Sequence, residues 1–246
     1  MNKAPYGALA PWYDAVMAHV DYPAWARHVE RLWTQLKTRP RSILETAAGT
    51  LALAPYLEKP SRRLVHSDLS LEMLQAADQD AARVGADFRR LPFRDGSFDA
   101  VLCLYDAVDY CLESDDLLAF FSEAARVLKA RGTLIFDFVT SLNSTRYFRD
   151  FTTHDEIQGT HVVRESSWDA LTRMQYNQFT IFLPEADGRF SCVREHHMQR
   201  IWPVSSFRKA ALQAGLVWEG AWDGFTLDPA GRNSERVHAA CRKVSG

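Results

Sequence analysis

Three kinds of hydrophobic pattern succeed one another along the chain. Between Tyr6 and Lys37 the spacing is helical: Trp25, Val29, Leu32, Trp33 and Leu36 recur at i, i+4, i+7, i+8 and i+11, which gives one buried face. From Arg41 the pattern becomes short apolar runs separated by helical segments. Ile43-Leu44 leads into the small-residue turn Ala47-Ala48-Gly49-Thr50, and a Leu/Ala-rich helix comes next. Arg63–His66 ends near Asp68, and Ser70 is placed to cap a helix over LEMLQAADQDAAR. DGSFDAVLCLYD (95–106) is the next strand region; a helix is expected over Asp115–Lys129 behind Ser114, and a strand over Thr133–Phe138. Continuous apolar runs of this kind fit parallel strands covered on both faces, so this part reads βαβαβ.

After Thr140 the chain turns strand-rich. Val162–Trp168, Met174–Leu183 and Phe190–Ile201, with a turn at Asp187-Gly188, predict an antiparallel insertion. A helix over Phe207–Ala214 stops at Gly215, and Leu216–Trp222 with Val237–Arg242 predicts a hairpin at the sheet edge.

Composition narrows the classes. A formal charge of −2 and a pI near 6.4 give no overall electrostatic reason to bind nucleic acid. The arginine pairs at 62–63 and 89–90 and the basic residues at 126–131 are scattered among acids. Cys103, Cys111, Cys192 and Cys241 lack metal-type spacing, and so do His154, His161, His196 and His197; no metal is expected. No apolar stretch is long enough to span a bilayer and no secretory leader is visible, so the expected address is the cytoplasm.

The chemistry concentrates on Arg41–Leu57 and the segments after it. A turn of tiny side chains after a strand lets a ligand approach the backbone, and an acidic residue about 20 positions on is placed to bond a ribose. In order come the acidic strand end, the small turn, D-L-S-x-E-M-L, A-D-F-x-x-L-P-F, F-D-x-V and R-V-L-K-x-x-G-x-L. This succession resembles class I methyltransferases that use S-adenosylmethionine, densely over Arg41–Phe138. Tyr13-Asp14, Met17, Asp21-Tyr22 and Trp25 look like the opening of a bacterial group of small methyltransferases, and Glu195, His197, Gln199 and Arg200 match an E-x-H-x-Q-R run in that group.

The resemblance implies an α/β fold with a Rossmann-like, mostly parallel sheet and an antiparallel edge hairpin. One domain is expected: an N-terminal helical lid (1–40), a donor-binding core (41–140), an antiparallel β insertion (141–203), and the last helix and edge strands (204–246). It also implies S-adenosyl-L-methionine as cofactor. By position, Glu45 would reach the amino-acid end of the donor and Ala47 and Gly49 would form its turn. Asp68 would accept the ribose hydroxyls, Leu69 and Met73 would pack on sugar and base, and Asp87 with the Phe88 backbone would meet the adenine. Tyr13, Trp25 and Leu104 complete the donor set. Leu51 stands where many relatives carry a third glycine, a departure that weighs still more against a dinucleotide diphosphate.

At the acceptor, Tyr105, Asp106 and His197 are the candidate catalytic residues. Asp109 is either a further orienting group or an ordinary loop residue. Glu195 and His197 share one strand face with His196 opposite, which makes either an acceptor-pocket wall or a solvent-facing edge. The expected activity is methyl transfer to nitrogen or oxygen of a small molecule. An RNA (tRNA) methyltransferase and a non-catalytic donor-binding module are the rivals. A strand-rich insertion can also pair between subunits, so a homodimer stays open.

Overall fold

The computed structural model describes residues 5–244; the first four residues of the expected lid and the last two of the chain lie outside them. The N-terminal helical stretch is split into α1 (Tyr13–Val16) and α2 (Tyr22–Gln35). Asp21 caps α2, its carboxylate accepting Ala24 N–H at 2.8 Å, and Pro23 sits in the first turn where its missing N–H costs nothing. The buried face of α2 carries Trp25, Val29, Leu32 and Trp33.

The core continues with β1 (Ser42–Thr46), α3 (Ala54–Leu57), β2 (Arg63–Asp68), α4 (Leu71–Ala76), β3 (Arg83–Gly85), β4 (Phe98–Cys103), α5 (Ser114–Val127) and β5 (Leu128–Val139). The insertion holds α6 (Ser141–Tyr147), β6 (Asp150–Ile157), β7 (Thr160–Asp169), β8 (Met174–Pro184) and β9 (Phe190–Arg200). The chain then returns through α7 (Val204–Gln213), β10 (Leu216–Asp223) and β11 (Arg236–Lys243).

Seven strands form one sheet in the order β10-β11-β5-β4-β1-β2-β3, and β6-β7-β8-β9 form a second. The pairs from β5 to β3 are parallel; β11 runs antiparallel to both β5 and β10. Phe120, Phe121, Phe136 and Phe207 cover one face of the large sheet, and Trp25, Trp33, Ile43 and Leu102 the other. Each such side chain contributes about 1.5–3 kcal/mol on burial, which holds the strand ends in place. Among the described residues no helix is long and apolar enough to cross a membrane.

Several elements differ from expectation. Ser70 caps α4 through Met73 N–H, but the helix stops at Ala76, well short of the expected run. Glu113, not Ser114, caps α5: it forms a capping box with Asp116, whose carboxylate accepts Glu113 N–H at 3.1 Å. The helix ends at Val127 and β5 begins at once with Leu128, earlier than the apolar run alone marks. α7 begins at Val204 rather than Phe207. The insertion has four strands, and β6 lacks a sequence signal because only Phe151 and Ile157 are apolar in DFTTHDEI, none of whose residues is buried.

Candidate functional site

At the C-terminal end of β1 the chain makes a turn in which Ala47, Gly49 and Leu51 all adopt positive φ (51°, 58° and 62°). Gly49 does so freely, whereas Ala47 and Leu51 are held in a region costly for residues with a Cβ. Asp68, at the end of β2, ties the turn down: one carboxylate oxygen accepts Gly49 N–H at 2.8 Å, the other Ser70 N–H at 2.8 Å. Burial raises the Asp68 pKa against the opposing pull of those backbone N–H groups. Met73 closes on the turn, its methyl 3.2 Å from where a Cβ on Gly49 would stand. From the N-terminal side, Thr50 Oγ1 donates to Asp14 at 2.5 Å, so α1 is fastened over the turn.

A small cavity of about 60 Å3 lies in this crevice, lined by Tyr13, Tyr22, Trp25, Glu45, the 47–50 turn and Leu104. Glu45 is buried; its Oε2 pairs with His66 Nδ1 at 2.8 Å, and its Oε1 has no hydrogen-bond partner among the described residues. Tyr13 and Tyr105 line this cavity and also a second one of about 490 Å3, bounded by the ends of β4 and β5, the N-terminal segment and the inner face of the four-stranded sheet.

Between the two cavities the backbone is strained. Tyr105 and Asp106, directly after β4, both have positive φ (64° and 52°). Fully buried Asp137 of β5 holds them, accepting Tyr105 N–H at 2.5 Å and Asp106 N–H at 3.2 Å. Arg236 of β11 bridges Asp137 and Asp106, the latter at 2.7 Å, and its guanidinium faces Trp25 and Tyr105 at 5.3 and 5.2 Å. Burial raises the pKa of both carboxylates, with Arg236 opposing. A chain of amides continues from Asp106: Gln199 Nε2 donates to Asp106 at 2.7 Å, Gln175 Nε2 donates to Gln199 at 2.9 Å, and Ser144 Oγ donates to Gln175 at 2.9 Å.

A second polar chain runs along the cavity wall. Glu195 accepts the backbone N–H groups of Tyr6, Ala8 (2.6 Å) and Leu9 (3.2 Å), and pairs with His197 Nε2 at 2.8 Å. His197 Nδ1 meets the Tyr110 hydroxyl at 2.8 Å, and Tyr110 meets the Tyr6 hydroxyl at 2.7 Å. Burial pushes Glu195 upward, but His197 and the Ala8 N–H outweigh it and leave its pKa lowered. Tyr6 and Tyr110 are pushed well up by burial, so both keep their protons.

A family model described as a methyltransferase domain matches residues 44–136. The chain is 29% identical to the Bacillus subtilis protein named "Putative methyltransferase YqeM", over 97% of both chains. Among solved structures it superposes on an S-adenosylmethionine-dependent methyltransferase from Clostridium acetobutylicum with a TM-score of 0.80, at 21% identity over 98% of this chain and 99% of that one. It likewise superposes on SAM-bound CalS10, an amino pentose methyltransferase from Micromonospora echinaspora (TM-score 0.72, 16% identity, 94% and 96% covered). Residues 44–136 are a methyltransferase domain, set in the fold of S-adenosylmethionine-dependent methyltransferases.

The crevice of this methyltransferase suits such a donor. Glu45 presents an unpartnered carboxylate oxygen, and Tyr13, Tyr22 and Trp25 offer aromatic faces, a set that favours positive charge. Two carboxylates, Glu45 and Asp68, flank the turn, which disfavours a diphosphate there.

The methyltransferase treats the remaining sequence candidates unevenly. Leu69 is half exposed, at 50%. Asp87 is engaged at both oxygens by Arg89, which also reaches Asp116, and the Phe88 ring packs edge-on against Phe120 at 5.2 Å. Neither Asp87 nor Phe88 lines either cavity, nor do Asp68, Leu69 and Met73, of which Asp68 and Met73 touch the 47–50 turn from behind. Asp109 is no exposed loop residue: it is fully buried in a 3₁₀ turn and accepts Val139 N–H at 3.1 Å, outside the cavity lining. His197 and Glu195 share one strand face, as the alternation implies, and that face turns inward, with His197 buried in the cavity wall. Tyr6, Tyr110, Arg164 and Arg236 come to the site without local signals. Asp137 had one, a carboxylate inside the apolar run Leu134–Val139.

Proposed function

We propose that this enzyme methylates a nitrogen or oxygen of a small-molecule acceptor held in the 490 Å3 cavity. The observation that carries the reading is the pair Tyr13 and Tyr105, common to the linings of both cavities, so donor and acceptor meet across them. The volume falls within the ordinary range for small-ligand sites. CalS10, whose name makes it an amino pentose methyltransferase, shares the fold that frames such a cavity. We take residues 1–40, 41–140, 141–203 and 204–246 to act as one domain, since the acceptor cavity draws on each of the four.

Bound in the small crevice, the donor supplies a methyl group on a positively charged sulfur. In this reading Glu45 and the 47–50 turn hold its amino-acid end, Asp68 its ribose, and Trp25, Met73 and Leu104 its apolar surfaces. Tyr105 and Asp106 position the acceptor, and positioning alone supplies much of the acceleration for an in-line displacement. Asp87 and Phe88 take no part in it: the Arg89 pairing uses the first and core packing the second.

An oxygen acceptor must also lose a proton, and the wall provides a route. With Nε2–H donated to Glu195, neutral His197 accepts at Nδ1. A proton leaving the acceptor passes to Tyr6, that of Tyr6 to Tyr110, and that of Tyr110 to His197. The resulting imidazolium rests against the Glu195 carboxylate, which the backbone N–H groups keep ionised. His197 is therefore the terminal acceptor of the chain, with Tyr6 as the group that meets the substrate.

The test is to incubate the protein with methyl-labelled S-adenosylmethionine and, separately, bacterial small-molecule and RNA fractions. Label entering the small-molecule fraction, and lost in Tyr105→Ala, supports the proposal. Label confined to RNA, or none with a folded protein that binds the donor, overturns it in favour of the respective rival.

A further inference from the structure

The charged groups of the large cavity are mostly paired from within. Arg236 is matched by Asp106 and Asp137, and Glu195 by His197 and three backbone N–H groups. Arg164 is different. Its Nε donates to Ser166 Oγ at 3.1 Å, but among the described residues Nη1 and Nη2 have no hydrogen-bond or ion-pair partner. The register explains why. Thr153 and Phe179 stand beside Arg164 on the neighbouring strands, and Glu195 lies beyond Phe179 with its oxygens already taken. Asp155 also lines the cavity, one row along beside Val162, and makes no ion pair with Arg164.

The guanidinium is nevertheless held in place. Its carbon lies 4.9 Å from the Phe148 ring centroid and 5.9 Å from that of Phe151, both of which line the cavity. Burial lowers the Arg164 pKa, against the opposing fields of Tyr6 and Asp106. The two Nη nitrogens open on the cavity without a partner from the protein, so oxygen acceptors of a ligand can reach them directly. A guanidinium fork matches two oxygens of one planar or tetrahedral anion.

Resting on the small-molecule reading above, we propose that the acceptor carries an anionic group, a carboxylate or a phosphate monoester, received by the Nη1 and Nη2 atoms of Arg164. Arg164 belongs to the antiparallel sheet, whereas Tyr105 borders the donor crevice. The anion thus anchors one end of the acceptor while the other meets the methyl group. Phe148 and Phe151 favour an apolar or aromatic link between the two ends, and Asp155 disfavours a second anion.

The full chain is titrated with benzoate, phenyl phosphate and neutral benzamide in the presence of S-adenosylhomocysteine, with ligand-detected NMR as readout. At least one anion is expected to bind about tenfold more tightly than benzamide, the worth of a charge-assisted hydrogen bond. Arg164→Gln should abolish that preference, Arg164→Lys should retain part of it, and both should bind S-adenosylhomocysteine like wild type, which certifies their folding. A preference for benzoate assigns a carboxylate, one for phenyl phosphate a phosphate. Equal affinity for all three probes in wild type, or a preference that survives Arg164→Gln, overturns the proposal. If the anion preference holds but S-adenosylhomocysteine does not bind, the Arg164 site stands and the donor reading falls.

Discussion

The donor crevice and the acceptor cavity share two tyrosines and little else. The crevice is narrow, walled by small and aromatic side chains, and takes most of its lining from one contiguous segment, 45–53, whose turn Asp68 ties down from outside. The acceptor cavity is roughly eight times larger and takes its polar groups from separate elements: Asp106 after β4, Arg236 from β11, and Arg164, Gln175 and His197 from three strands of the second sheet. Asp106, Asp137 and Arg236 form one buried network, so each of these charges depends on a partner far away in the chain. A site built from neighbours tolerates change elsewhere. A site built from distant partners fails as a unit.

The sharpest way to break this contrast is Asp137→Ala. It removes the acceptor for Tyr105 N–H and Asp106 N–H and leaves Arg236 with one carboxylate, at an expected cost of about 3–5 kcal/mol in urea unfolding. Because Tyr105 borders both cavities, donor affinity should fall as well. Retention of full stability would mean that the strained pair holds itself. Tyr110→Phe should touch the acceptor side alone. With an oxygen acceptor, kcat drops about 100-fold and the acidic limb of the pH–rate profile changes, while S-adenosylhomocysteine affinity stays put; an unmoved profile makes the tyrosine chain purely structural. Asp68→Asn is the converse. It should weaken S-adenosylhomocysteine about tenfold by calorimetry, by removing a charge at the turn, and leave anion binding at Arg164 intact.

Two smaller effects lie outside the shared boundary. Asp99, at the opposite end of β4, accepts from Lys129 and from the Ser42 and Arg41 N–H groups; burial opposes them, but they hold its pKa down at about 2. A carboxylate with a depressed folded pKa stabilises fully above its unfolded value near 4, and that share vanishes as pH falls towards about 2. Asp99→Asn should cost ~1 kcal/mol at neutral pH, after screening at this half-open site, and flatten stability across that acid window without altering either ligand site. Ala47→Gly should stabilise by ~0.5 kcal/mol, since glycine adopts positive φ freely but loses more chain entropy on folding. A destabilised variant would mean that the Ala47 methyl packs usefully.

These differences also decide how much is legible in the sequence. The donor half is legible because its strand ends, turn and Asp68 lie close together in the chain, and helical and strand periods mark their faces. The mostly parallel sheet with its antiparallel edge pair is legible for the same reason. The acceptor half is legible only where alternation exposes it, as for Glu195 and His197. Nothing local to Arg164 or Arg236 distinguishes them from surface arginines, and Tyr6 meets Tyr110 only through folding. Asp87 shows the reverse limit: the order of the motifs marks the position but gives no sign of its partner Arg89, which engages both carboxylate oxygens.

The amide chain from Ser144 to Asp106 has a sense of travel. Each link donates toward the carboxylate, so the orientation of Gln199 dictates that of Gln175, and Gln175 dictates the hydroxyl of Ser144. One negative charge after β4 thus sets the polarity of three side chains on three other elements. Reversing that charge, as in Asp106→Lys, would require both amides to flip together. The insertion is docked onto the core by a one-way latch, keyed to the sign of a single residue.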